Sequence, residues 1–230
     1  VPDDRCSLPP TQSYRDVDHQ RYLDAWFETL RLTKNVMLVV HDWGSVIAFT
    51  RARRHPGQIT AIAHYEAIVL PRRWAQDFPG GRDKIFRALR SPEGERLVLD
   101  ENFFVEVVLP RGILRKLSDE EMEGYRAPYR DRERRLPTLV WPREVPIDGE
   151  PADVTEIVEE NARWLAASRD VPKLFISGDP GTIVRGRMRD FVHTLPNQRE
   201  VTVRGLHHLH EDAAKEIGEA LRDFVLGLRT

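Results

Sequence analysis

Three stretches carry side chains whose types and spacing could do chemistry. The first is VVHDWGS (residues 39–45), where an aspartate and a tryptophan follow an apolar run that ends at Val40. Val40, His41, Asp42, Trp43 and Gly44 fit the pattern small, any, nucleophile, any, small, in which a sharp strand-to-helix turn lifts the central side chain above the sheet. Asp42 holds the nucleophile position, Gly44 lets backbone segments approach, and the N-terminus of the next helix favours an anion there. Taken alone, the same residues equally suit an aspartate that N-caps a helix starting near Ser45. The second stretch is GLHHLHED (residues 205–212), which puts His207 late in the chain, after an apolar run, where a general base would follow its nucleophile. His208 and His210 read as structural or surface neighbours, because the tract lacks a recognisable partner set for zinc. The third is LDENFFVEVVLP, in which Glu106 lies among Phe103, Phe104, Val105, Val107 and Val108. Those apolar neighbours favour a buried, hydrogen-bonded carboxylate.

The elements that must position these residues follow from hydrophobic pattern. NVMLVV is unbroken apolar sequence suited to a strand covered on both faces, and SVIAFTRARRHP reads as the helix after it, stopping at Pro56. QITAIAHYEAI, VPKLFIS and REVTVRG are three further strands. SYRDVDHQRYLDAWFETLRL spaces Tyr22, Leu23, Trp26, Phe27 and Leu30 as an amphipathic helix with Ser13 as a plausible N-cap, and the tail does the same with Ile217, Leu221, Phe224, Val225 and Leu228. Strand and helix alternate, so the class is α/β with a mostly parallel sheet flanked by helices. About a hundred residues without a clear strand separate the second strand from the third, too long for a crossover loop. They predict a helical cap over residues 70–170, inserted into a core made of residues 1–69 and 171–230, above the strand ends where open α/β sheets bind ligands.

Composition excludes several partners. With 35 basic and 37 acidic residues in 230, a net charge of −2 gives no field for nucleic acid or an anionic membrane, and the locally basic YRDRERRLP is a solvated face. Cys6 is the single cysteine, which fits a reducing, cytoplasmic setting without a disulfide framework. No apolar run approaches the roughly 18 residues of a membrane helix, and the start does not read as a signal peptide.

Taken in order, YLDAWFETL, VVHDWGS, ARRHP, YEAI, RSPEGERLVLDENFFVEVVLP, EEMEGYRAPY, RLPTLVWPREVPIDGEPADV, VPKLFIS, GRMRDF and PNQREVTVRGLHHLHED resemble the haloalkane dehalogenases of the α/β-hydrolase superfamily through nearly the whole chain. The resemblance implies Asp42 as nucleophile, His207 as base, Glu106 as the acid that orients the histidine, and Trp43 as one halide-binding N–H donor. It implies a small apolar halogenated substrate, a halide product and no cofactor or metal. Asp179, in ISGDPG, is the rival for the acid, with a turn role expected instead.

The resemblance also sets expectations about what differs. The family's HGNP-type stretch, source of an oxyanion-hole N–H and a second halide donor, has no counterpart here, and neither do its N-terminal strands. The expected sheet is therefore open beside VMLVV, an edge through which copies could associate, and turnover is expected to be weakened. Other readings are an epoxide hydrolase using Tyr125 and Tyr129 from the cap, and an oxygenase, since SYR, AWFE, NFFVE and WPRE also resemble the coelenterazine-oxidising Renilla-type luciferases. A catalytically impaired member that only binds apolar ligands is the last.

Overall fold

The computed structural model describes residues 14–78, 81 and 83–228; Cys6 and the expected N-cap Ser13 lie outside them. In chain order, α1 (Asp16–Thr29), β1 (Val36–Asp42), α2 (Trp43–Arg54) and β2 (Ile59–Ala67) come first. Four longer helices follow: α3 (Asp83–Arg90), α4 (Asp119–Arg126), α5 (Leu136–Glu144) and α6 (Ala152–Ala167). The chain then returns to the sheet through β3 (Lys173–Pro180), α7 (Arg187–His193), β4 (Gln198–Gly205) and α8 (Ala214–Gly227).

The apolar runs make one four-stranded sheet in the order β1-β2-β3-β4, with every pair parallel. Such strands need both faces covered, because unbroken apolar sequence points side chains both ways. Ile62 and Phe175 join Leu38, Val40, Phe27 of α1, Phe49 of α2, Leu165 of α6 and Val192 of α7 on one face. Ala61, Ala63, Leu174, Ile176 and Val203 meet Ile217 and Phe224 of α8 on the other. Each fully buried side chain of this size, such as Phe49 or Ile62, contributes roughly 1.5–3 kcal/mol relative to exposure. Helix α2 stops before Pro56, which cannot continue it, and Arg51, Arg53 and Arg54 in its last turn complement the negative end of its dipole.

Helix α1 buries less of its apolar stripe than its spacing predicts. Phe27 is buried and Leu23 packs on the same cluster, but Tyr22, Trp26 and Leu30 stay about half exposed at 46%, 52% and 51%. Among the described residues β1 is an edge strand, and Val39 on it is 50% exposed. Between β2 and β3 the chain is mainly helical, with two π-helical turns at Arg96–Asp100 and Phe104–Val108. Helix α6, assigned to the cap on sequence, packs on α2: Asn161 Nδ2 donates to Thr50 Oγ1 at 2.9 Å and to the Val46 carbonyl at 3.2 Å. Trp43, Val46 and Ile68 then meet Phe78, Val145, Ile147, Val154 and Val158 of the inserted segment in a separate apolar cluster.

Candidate active site

Asp42 ends β1 with φ 45° and ψ −127°, backbone angles that a residue with a Cβ rarely adopts and that cost on the order of 1–3 kcal/mol. The turn is held by Ser45, whose Oγ donates to the Asp42 carbonyl at 2.5 Å and accepts from the Ile68 amide at 2.9 Å. Trp43 follows as the first residue of α2, buried, with its ring 4.6 Å from Trp141 of the inserted segment. A Cβ placed on Gly44 meets no described atom within 4 Å, so the unusual backbone of this turn sits at Asp42 and not at the glycine.

The adjacent strand supplies a carboxylate that sequence reading passed over. His41 stands opposite Tyr65 and Asp42 opposite Ala67, which leaves Glu66 as the extra residue of a bulge at the end of β2. With φ 43° it departs from strand geometry, and its carboxylate is re-aimed into the sheet end, 1% exposed. Thr182 N and Ile183 N donate to it, the latter at 2.6 Å, and a Cβ on Gly181 (φ 64°) would stand 3.2 Å from Glu66 Oε1. His207, on the loop after β4, places Nδ1 3.4 Å from Glu66 Oε2 and Nε2 3.9 Å from Asp42 Oδ2. Two carboxylates, one of them buried, and an imidazole are thus aligned at the carboxyl ends of three parallel strands.

Glu106 is not part of this alignment. On its π-helical turn it receives two hydrogen bonds from Arg126, Nε to Oε1 and Nη2 to Oε2, both 2.8 Å, and its side chain is 34% exposed. Of its apolar neighbours in sequence only Val105 is buried, and Glu106 itself is exposed, so the expectation of a buried acid at Glu106 is corrected to Glu66. Asp179, the other rival, is exposed near the end of β3. Tyr125 gives its hydroxyl to Glu211, a bond that ties the segment between β2 and β3 to the short helix Leu209–Asp212 after His207. Glu66 had one legible signal, an acidic residue closing the apolar strand YEAI; its bulge and inward aim had none.

The charges favour these roles. Burial alone would raise the Glu66 carboxyl, but the His207 hydrogen bond and charge and the Ile183 and Thr182 amides hold it below the usual carboxylate range. Burial alone would lower His207, but the hydrogen bond to Glu66 and the charges of Asp42 and Glu66 raise it above 6.5. Burial, reinforced by His207, pushes His41 down to about 4, and burial with His207, His41 and His210 nearby pushes His208 down further.

The loop carrying His207 is fastened on both sides. His41 Nε2 donates to the His207 carbonyl at 2.9 Å, which requires the proton on that nitrogen. The Gly112 carbonyl accepts from both His207 N and His208 N at 2.9 Å. Contrary to the tract's appearance in sequence, ring nitrogens of His41, His207 and His208 converge within 4.8 Å of one another, because His41 comes from a distant strand end. Among the described residues no helix is long and apolar enough to cross a membrane.

Residues 5–214 match the family model described as alpha/beta hydrolase fold. A haloalkane dehalogenase of Sphingobium indicum is 51% identical over 98% of this chain and 77% of its own length. Coelenterazine h 2-monooxygenase of Renilla reniformis is 43% identical over 93% of this chain and 68% of its own. Among solved structures, a haloalkane dehalogenase of Bradyrhizobium elkani superposes with a TM-score of 0.90 at 40% identity, covering 98% of this chain and 77% of that one. The chain belongs to the alpha/beta hydrolase fold family and, within it, to the haloalkane dehalogenases.

Proposed function

We propose that this chain hydrolyses carbon–halogen bonds of small apolar haloalkanes with Asp42 as nucleophile, His207 as general base and Glu66 as the group that positions His207. One observation carries the reading: His207 lies between the carboxylates of Asp42 and Glu66, one nitrogen toward each. An Asp42 oxygen attacks the carbon bearing the halogen, a C–O bond forms, and the halide leaves with the bonding electron pair. His207 then takes a proton from water as the hydroxide adds to the ester carbonyl. Collapse of the tetrahedral species expels the alkyl oxygen, which is reprotonated to give the alcohol, and Asp42 is restored with net release of halide and a proton.

Two features support this division of labour. The raised affinity of His207 for a proton depends partly on the Asp42 charge, which vanishes on esterification, so the imidazole becomes a freer base when it is needed. The Trp43 backbone N–H, at the start of α2, suits the oxyanion of the second step, and its indole N–H suits the departing halide. Among the described residues β1 is the outer strand and its Val39 is half exposed, which supports pairing between copies; Val39→Lys should then sediment as a smaller species than the parent. The function is tested by incubating the chain with a chlorinated or brominated alkane and measuring halide. Release of one halide per alcohol is expected; light from coelenterazine with no halide release would make the monooxygenase the better guide.

A further inference from the structure

We propose that His41, His207 and His208 form a chelating site for a borderline divalent transition ion, of which zinc is the representative, and that occupation of this site blocks turnover.

Three imidazoles offering ring nitrogens within 4.8 Å of one another are a donor set that zinc, copper and nickel accept. Two of the three already make the second hydrogen bond that metal-bound histidines make. A ligating imidazole almost always donates its other N–H to a carboxylate or a backbone carbonyl, which fixes ring and tautomer. His207 directs Nδ1 at the Glu66 carboxylate, leaving the Nε2 lone pair. His41 donates Nε2–H to the His207 carbonyl, leaving the Nδ1 lone pair, and its ring is stacked on Tyr65 at 5.0 Å. The third ring has no such duty: His208 makes no side-chain hydrogen bond among the described residues, although its centroid lies 4.7 Å from that of His207 and 5.7 Å from that of His41.

Ligand nitrogens of a tetrahedral zinc at 2.0–2.1 Å stand about 3.4 Å apart, so the separations, all within 4.8 Å, need close by no more than about 1.4 Å. Rotation of the untethered His208 ring is the movement available. Water or Asp42, whose Oδ2 is 3.9 Å from His207 Nε2, would complete the coordination. The effect on turnover rests on His207 being the base: a bound cation takes the lone pair that would accept the proton of water, so the Asp42 ester forms but is not hydrolysed.

The test begins without substrate, by calorimetric titration of the protein with zinc chloride. One zinc per chain is expected, with affinity at least tenfold weaker in His208→Phe and His41→Phe and within twofold of the parent in His210→Gln. Absorption spectroscopy at the zinc edge of the unmodified protein should show a first shell rich in imidazole nitrogen, a readout independent of whether the variants fold. No saturable one-to-one binding, a shell of oxygens alone, or unchanged affinity in His208→Phe overturns the site. Halide release should then fall at least tenfold with zinc and recover with a chelator; binding without that loss overturns the inhibitory role. Failure of the dehalogenase reading would appear separately, as absence of halide release before any zinc is added.

Discussion

His207 Nδ1 and Glu66 Oε2 stand 3.4 Å apart, and the buried Glu66 carboxylate is held there by the amides of Thr182 and Ile183. The distance is long for a hydrogen bond, as pairs of this kind often are before substrate binds. A carboxylate so placed fixes the tautomer of its imidazole and stabilises the imidazolium that forms during reaction, without touching the reacting atoms.

Glu66→Gln should therefore lower turnover on the order of 10²–10⁴-fold, the range of a positioned acid–base group. Glu106→Gln removes one side of a solvent-screened ion pair with Arg126 and should change turnover less than about threefold. Halide release from both variants, compared at equal folded fraction, decides the assignment; the reverse ranking would return the role to Glu106.

Trapping should locate the covalent step. His207→Asn removes the base for the second half-reaction and leaves Asp42 able to attack, so one alkyl group per chain should accumulate. Peptide mass mapping is expected to find it on Asp42. A label on any other carboxylate would remove Asp42 from the nucleophile's position.

The strand runs and the placing of Asp42 and His207 at strand ends are legible because each has a local signature. NVMLVV announces a buried strand, HDWG a turn with a polar tip, and GLHHLHED a loop histidine after a strand. Glu66 was not legible because its role depends on a one-residue bulge, set by the register of β1 against β2 and invisible in the alternation of β2 alone. Glu106 was misplaced for the converse reason: apolar neighbours in sequence do not bury a side chain on a π-helical turn that faces Arg126. The histidine cluster has no signature in the sequence because His41 precedes Asp42 by one residue and His207 follows it by 165, and only the fold joins them.

The pH dependence should carry the mark of both carboxylates. His207 must be neutral to accept a proton, and its folded-state value is raised above 6.5, so nuclear magnetic resonance of the resting protein should show it titrating above that value. In single-turnover hydrolysis of the Asp42 ester, where the Asp42 charge is gone, the acid limb should lie lower than that titration. Glu66→Gln removes the hydrogen bond and charge that favour the imidazolium, and should move the limb lower still while the rate falls. A limb unmoved by Glu66→Gln would mean that Glu66 supports the fold and not the protonation of His207.

Gly112 couples the segment between β2 and β3 to His207. Its carbonyl accepts from His207 N and His208 N, and a Cβ at this position would stand 2.9 Å from His208 Cδ2 and 3.3 Å from both His208 Nε2 and the Leu109 carbonyl. The loop has little slack to absorb the intrusion, because Asp212 accepts from Leu114 N and Arg115 N at 2.9 and 3.0 Å and from Leu206 N at 3.2 Å. Gly112→Ala should consequently cost about 1–3 kcal/mol of stability by overpacking. The part of the intrusion that rotation of the His208 ring does not absorb should displace the His207 loop, and a shift of a few tenths of an ångström there is expected to lower turnover about tenfold, given that 1 Å costs around 10²-fold. The contact that causes this is with the His208 ring, so His208→Ala in the same chain should restore most of the lost turnover, a non-additivity that a double-mutant cycle measures. Full activity in Gly112→Ala, or loss that His208→Ala does not relieve, would show that the Gly112 contact does not set the position of His207.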